Sequence, residues 1–280
     1  MRDFEHPDSF DNQPYPKPDP PIKRVVVLGL GEIGRPIFEM LRDASPSQVF
    51  GKDIEDVEWK YHFKFMHVCI PQNPGFLPAL RKYVEEYRPE YIIIHSTLSP
   101  GVSAYLDSLF LAPVYYSPVR GNIKDGMRRS LEKYTKYIAG DNVTQIETVI
   151  DHLEDAGFSI EFSPDPVALE WAKILDLAWY GLNIAFYQEL ERLSEEEQFD
   201  VGVVRDFIKT TPEESEGRAA RTLFFGGYIG GHCVIQAIEK ILAKKDIPML
   251  REAIISNIKR QEELLFNKPD HHPTPRRRGE

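Results

Sequence analysis

Between Lys23 and Ala44 the sequence reads KRVVVLGLGEIGRPIFEMLRDA, an apolar run that breaks on three glycines and resumes at helical spacing. A short stretch rich in valine predicts a buried strand, and Ile33, Ile37, Met40 and Leu41 then fall on one face of a helix. The pattern repeats. SQVFGKD, FKFMHVCIP and EYIIIHST predict three more strands, and GFLPALRKYVEEY lies between the last two as a crossover helix. KYIAG, a helix around VTQIETVIDHLEDAG and the strand FSIEF complete the series. Strands alternating with helices predict an α/β fold, a doubly wound parallel sheet covered on both faces.

The pattern changes at SPDPVALEWAKILDLAWYGLNIAFYQELERLSEEE. Ser163 or Asp165 can cap a helix there, Pro166 suits its first turn, and helical periodicity runs on for about eight turns. A long central helix over 165–197 follows, with further helices near 200–211, 234–245 and 247–265. The expected division is an α/β domain at 23–163 and an all-helical domain at 164–266. Residues 1–22, crowded with proline, read as a disordered leader, and 267–280 as a disordered polar tail.

Charge narrows the partners. Lys and Arg number 34 against 44 Asp and Glu, a net charge of -10, so a nucleic-acid backbone would be repelled by most of the surface. The basic cluster Arg276, Arg277 and Arg278 lies in the tail. No apolar run of roughly 18 residues and no signal-peptide layout appear, so a cytoplasmic protein without membrane contact is expected. Two cysteines, Cys69 and Cys233, make no disulfide framework. Nothing has metal-ligand spacing: His62 with His67, and His271 with His272, lack co-ligands.

Gly29, Gly31 and Gly34 form G-x-G-x-x-G around Glu32 and Ile33, at a strand-to-helix junction. The first glycine permits the tight turn, the second lets backbone approach a pyrophosphate, and the third lets helix and strand pack closely. The helix N-terminus supplies unpaired N–H groups for phosphates. Asp53 ends the next strand, where a carboxylate accepts from ribose hydroxyls and repels a 2′-phosphate. The expected domain is Rossmann-like and the expected cofactor NAD. Pro71 in CIPQ, and Ser96 and Thr97 in HSTLSPG, follow later strands at the same end of the sheet.

With these pieces placed, the chain resembles the UDP-glucose/GDP-mannose dehydrogenase family, within the wider group of 6-phosphogluconate and β-hydroxyacid dehydrogenases. The match runs from about residue 23 to 265 through GLGEIG, Asp53, CIP, STLSPG, SPVRG, ALEWAKILDLAWYGLNIAFYQEL and GGHC. The resemblance implies a homodimer built through the long helix, Cys233 as nucleophile toward an aldehyde, Lys173 as the group that stabilises oxyanions or orients a hydroxyl, and Thr97 holding water or cofactor. Three positions depart from it. Val119 stands where the family has an acid, Leu177 where it has an asparagine, and Ala237 where it has an aspartate. The chain is also expected to be shortened, without the family's C-terminal nucleotide-sugar domain.

The residues themselves leave alternatives open. Lys173 shares a helix face with Asp176, Leu177, Tyr180, Asn183 and Tyr187, either a solvated face or a cleft stripe in which Asp176 or Tyr180 replaces the missing asparagine. The opposite, core face is assigned to Trp171, Ile174, Leu175, Ala178, Leu182, Ala185 and Phe186. Cys233 is either a packed thiol or one activated by a helix N-terminus and the adjacent His232. Arg120 and Asn122 suit an anionic substrate, or an ordinary surface ion pair. The expected function is an NAD-dependent oxidoreductase acting on an alcohol of a small polar or anionic substrate, with a Cys-assisted second oxidation open. The alternative is a catalytically impaired, NAD(H)-binding dimeric sensor or scaffold.

Overall fold

The computed structural model describes residues 24–46, 48–53, 61–121, 126–214, 224, 226–231 and 233–266. The expected leader and tail lie outside them. Among the described residues one sheet comprises β1 (Val25–Leu28), β2 (Val49–Lys52), β3 (Phe65–Val68), β4 (Tyr91–Ile94), β5 (Val114–Tyr116), β6 (Lys136–Ala139) and β7 (Ile160–Ser163). Helices α1 (Gly34–Ala44), α2 (Phe76–Tyr87), α3 (Val102–Leu109), α4 (Met127–Lys133) and α5 (Ile146–Asp155) connect them. The strand order is β2-β1-β3-β4-β5-β6-β7. Winding therefore reverses between β1 and β3, and the loops leaving those strands part to open a crevice at their C-terminal ends.

Alternate residues divide between two cores. Val25, Val27, Phe65, Ile93 and Tyr115 pack with Ile37, Leu131 and Leu153 on one face. Val26, Leu28, Met66, Ile92, Ile94 and Tyr116 pack with Leu80 and Leu106 on the other. Burial on both faces explains why VVVL and YIII show no polar alternation.

The sheet departs from the all-parallel expectation at one seam. β5 and β6 pair antiparallel through Tyr116 and Ala139, while every other neighbouring pair is parallel. The segment between them carries α4, which packs beside α1 rather than crossing back to the start of β5, so the chain enters β6 from the end at which β5 stopped. The three-residue β5, with α3 and α4, is too short to carry a readable period.

Beyond the sheet lie α6 (Pro166–Glu196), α7 (Val201–Glu214), α8 (Cys233–Leu242) and α9 (Pro248–Phe266). The Asp165 carboxylate accepts from Ala168 N at 2.9 Å and Pro166 stands in the first turn, so α6 starts where its capping residues dictate. Its 31 residues extend ~46 Å. Ile174 and Ala178 pack with Val234, Ile238 and Ile241 of α8 and Leu250 of α9. A Cβ on Gly181 would stand 2.8 Å from Val234 Cγ1, so this glycine sets how closely α8 lies on α6. Leu175 and Phe186, assigned to the core face, are instead exposed together with Trp179. The helix has two apolar sides, because its packed stripe is carried by smaller residues than the sequence pattern suggested.

The Gly34 position generates a clean test. A Cβ there would sit 1.7 Å from Gly29 O and 3.0 Å from Cys69 Cβ, whereas one on Gly31 meets nothing within 4 Å. Gly34→Ala should lower stability by about 1–3 kcal/mol through overpacking, and Gly31→Ala should leave it within about 0.5 kcal/mol, as for an unobstructed surface site. Urea denaturation of the two variants reads this directly; equal midpoints would contradict the packing.

Candidate functional site

The glycine turn is built as its spacing requires. Gly29 adopts φ +84°, a left-handed conformation that favours glycine, and its N–H donates to Lys52 O at 2.8 Å. Glu32 is exposed, while Ile33 turns its side chain into the core and leaves no side-chain cap on the α1 N-terminus. Asp53, exposed at the end of β2, lines a cavity of about 250 Å³ with Gly29, Pro71, Phe76 and Tyr83. Open space at Gly31, unpaired helix N–H groups and a carboxylate in the adjoining cavity fit a dinucleotide: pyrophosphate over the turn, ribose on Asp53. The Ser96 hydroxyl donates to Ile70 O at 2.6 Å and ties the loop after β4 to the loop after β3. Thr97 follows it, half-buried.

A second cavity, of about 560 Å³, lies between α6 and the strand ends, lined by Pro118, Arg120, Phe162, Leu169, Lys173 and Asp176. Burial pulls the Lys173 ammonium below its ordinary range; Asp176 and Cys233 pull it back up, and Arg120 pushes it down. Arg120, Lys173 and Asp176 thus share the cavity, and Cys233, outside its lining, still acts on the Lys173 charge. Cys233 is exposed as the first residue of α8. Arg120 donates to Thr135 O at 2.7 Å, lies over the Tyr137 ring at 5.1 Å, and pairs with no carboxylate among the described residues. Both the anion-binding reading and the surface ion-pair reading of Arg120 remain compatible with that arrangement.

Other expected positions fare differently. Asn122 and His232 lie outside the described residues. Tyr180 does not line the Lys173 cavity; it is exposed, its ring edge-on to Phe224 at 5.2 Å. Tyr187, read on the Lys173 face, is buried against the same Phe224. Burial pushes the Cys69 thiol up to about 12, so it stays protonated and inert. Val119 and Ala237, at 5% and 0% exposure, are core residues, and Leu177 packs against the helical core, so the three departures from the family pattern are apolar packing positions.

Several polar residues escaped the sequence reading. Glu170, fully buried, accepts from Gly101 N at 2.5 Å and Ser103 N at 2.7 Å, and so caps α3 from α6. Gln188 Nε2 donates to Gly227 O and Asn257 accepts from Ile229 N, fixing the loop that leads to Cys233. Lys136 Nζ, buried, donates to Ser117 O at 2.7 Å and Pro118 O at 3.3 Å, and burial lowers it to about 7. The same Ser117 carbonyl ends a chain of rings: His95 Nδ1 at 2.9 Å, His95 Nε2 to His67 Nδ1 at 2.9 Å, and His67 Nε2 to His152 Nε2 at 2.9 Å. A carbonyl only accepts, so His95 carries its proton on Nδ1 and accepts at Nε2. His67 then donates from Nδ1, and His152 from Nε2, which assigns the neutral tautomers of His95 and His67. A buried glutamate on an otherwise apolar helix turn was the one available sequence signal among these.

No protein-family model matches the chain, and no curated protein matches it by sequence. Solved structures share its fold. The UDP-D-ManNAc dehydrogenase of Pyrococcus horikoshii superposes with a TM-score of 0.73 at 18% identity, covering 85% of this chain and 69% of that one. A UDP-glucose dehydrogenase from Pyrobaculum islandicum gives 0.65 at 12% identity, over 85% and 68%. The 3-hydroxyisobutyrate dehydrogenase of Mycobacterium tuberculosis gives 0.66 at 15% identity, over 85% and 93%. The fold common to all three is the Rossmann-like domain followed by helices.

The histidine chain makes stability pH-dependent. Burial, then neighbouring cations, hold His67 and His95 well below the usual 6.5, so both stay neutral in the fold while the unfolded chain takes up protons. Their contribution is complete above about pH 6.5 and is lost as pH falls, at about 1.4 kcal/mol per pH unit for each ring. Thermal unfolding should therefore drop steeply between pH 6.5 and 5, and a flat profile there would refute the buried neutral chain.

Proposed function

We propose that this chain is an NAD-dependent oxidoreductase that oxidises an alcohol on a small polar or anionic substrate. The observation that carries the reading is the pairing of a dinucleotide cradle with a cavity lined by Lys173, Asp176 and Arg120, with Cys233 near enough to act on the Lys173 charge. The likeness in fold to dehydrogenases of sugar nucleotides and of a hydroxyacid supports it. When bound, NAD supplies a nicotinamide that accepts hydride.

The chain's own residues would supply the rest. Gly31 and the α1 N-terminus bind the pyrophosphate and Asp53 the ribose, which favours NAD over NADP. Arg120 would bind the substrate's anionic group through its planar fork of N–H donors. Lys173, with its proton affinity lowered by burial, takes the hydroxyl proton from the alcohol oxygen onto Nζ, and Asp176 one turn away stabilises the ammonium that results. Cys233, exposed at the head of α8, is placed to add its sulfur to an aldehyde carbon, the entry to a second oxidation. Thr97, half-buried in the loop after β4, would hold water or cofactor.

The packed apolar residues Val119, Leu177 and Ala237 favour a second reading, a sensor or scaffold that binds NAD(H) without turnover. In either case the protein would be a homodimer in the cytoplasm. Leu175, Trp179 and Phe186 are exposed apolar residues of α6, and Phe186 lines a groove with Met249 and Ile255 of α9, a surface suited to a second copy. No helix among the described residues is long and apolar enough to cross a membrane.

Titration with NAD and NADH, followed by a panel of hydroxyacids and sugar nucleotides watched at the reduced-nicotinamide absorbance, decides between these readings. Asp53→Ala should weaken NAD binding by about tenfold or more, the worth of a charged hydrogen-bonding partner, and Gly31→Ala should abolish binding in a folded protein. Reduction by one substrate class supports the oxidoreductase, one NADH per substrate marking a single oxidation and two marking the second. Tight binding with no turnover supports the sensor, and no binding defeats both. Light scattering should give a dimer that Trp179→Asp converts to a folded monomer; a monomeric wild type would remove the interface.

A further inference from the structure

Helix α8 joins the two halves of the molecule through one of its sides. Cys233, Gln236 and Lys240 recur at spacings of three and four residues along α8, and Lys244 follows in the turn just past its end. The other side, Val234, Ile238 and Ile241, is buried against α6 and α9. With Val234 and Ile238 set against the bare Gly181 backbone, α8 is held as a rigid rod.

The polar side ends on the two loops that frame the dinucleotide cleft. Lys240 Nζ donates to Gln72 Oε1 at 2.7 Å and approaches Ser99 Oγ at 3.4 Å. Gln72 Oε1 also accepts from Ser99 N at 2.8 Å and Ser99 Oγ at 3.2 Å, so one carboxamide oxygen gathers the loop after β3, the loop after β4 and α8. Lys244 Nζ donates to Pro100 O at 2.6 Å. Gln72 lies between Pro71 and Asn73, both in the wall of the Asp53 cavity, and Ser99 is two residues past Thr97. At the other end of the rod, about 10 Å and two helical turns away, stands Cys233.

We propose that Lys240 is a positioning residue that transmits occupancy of the dinucleotide cleft along α8 to Cys233. The inference rests on the dinucleotide reading above. A ligand that orders the loops at 70–73 and 96–100 fixes the acceptors to which Lys240 is bonded. Because α8 is one continuous helix, the placement of its first residue follows from the placement of its eighth, Lys240. Coupling between two sites acts in both directions, so modification of Cys233 should in turn change the affinity of the cleft. Lys240 itself touches neither the thiol nor the cavity that holds Lys173.

The experiment measures alkylation of Cys233 by iodoacetamide, quantified on its own peptide to separate it from Cys69, with and without saturating NAD. In the wild type NAD should change the rate at least threefold. In Lys240→Met that ratio should fall to about one while NAD affinity stays within about threefold, and Lys240→Arg should restore part of it. Gln72→Ala, which removes the acceptor from the opposite domain, should abolish the ratio in the same way and serves if Lys240→Met does not fold. Direct shielding of the thiol by NAD predicts the contrary, a ratio that survives in both variants, and that result overturns the proposal. So does a wild-type rate indifferent to bound NAD. Failure of the wild type to bind NAD at all, seen in the titration before any alkylation, overturns the dinucleotide reading and this inference with it.

Discussion

The carboxylate of Glu170 fixes the relation between the two halves of the molecule. It has no exposure, and a buried anion is tolerated only where donors surround it. The Gly101 and Ser103 N–H groups at the start of α3 meet that need, and Lys244 lies near enough to favour the charge. Burial pushes the carboxyl up and these partners oppose it. A helix anchored at one residue by two short bonds has little freedom to slide or turn. Lys173 and Asp176, one and two turns further on, are therefore directed at the strand ends by a contact made outside the cavity they serve.

A second constraint is the Ser117 carbonyl, which receives both His95 and Lys136. The two donors can be no further apart than their bonds laid end to end, so only one of them holds a positive charge without cost. The chain resolves this by keeping the rings neutral. Lys136, lowered to about 7, then holds Ser117 and Pro118 in place from behind the wall that also carries Arg120. Buried polar groups joined in one satisfied network specify a single arrangement of the strands that carry them. Here they tie β3, β4, β5 and β6 at the end where the candidate site opens.

How much of this the sequence disclosed follows the reach of each interaction. Gly29, Gly34 and Asp53 act on their own strand-turn-helix unit, and Asp165 and Pro166 on the turn that follows them, so all were readable as local chemistry. Lys136 in KYIAG and His67 in FMHV look like interruptions of apolar strands. Their meaning depends on partners 19 to 85 residues away, which spacing cannot supply. The antiparallel seam at β5 and β6 was hidden for a related reason: a three-residue strand has no period, and the direction of its neighbour is decided by where α4 packs. Leu175 and Phe186 were misassigned because periodicity identifies apolar sides of a helix without saying which side meets the rest of the chain.

The three departures from the family pattern take on a different weight once their surroundings are known. As letters, Val119, Leu177 and Ala237 are missing polar groups. In the fold, Val119 belongs to the core of the sheet and Ala237 to the core of the helical half, while Leu177 packs on the latter. Restoring an acid at either buried position would require taking a charge out of water, at a cost the present neighbours do nothing to offset. Hydrolysis of a thioester needs a held water and groups to move its protons, and apolar packing supplies neither. Abstraction of a proton from an alcohol calls on a lysine of lowered proton affinity near an acid, the roles proposed for Lys173 and Asp176. The three losses therefore weigh on the proposed second oxidation at Cys233 and leave the proposed transfer of the alcohol proton to Lys173 untouched.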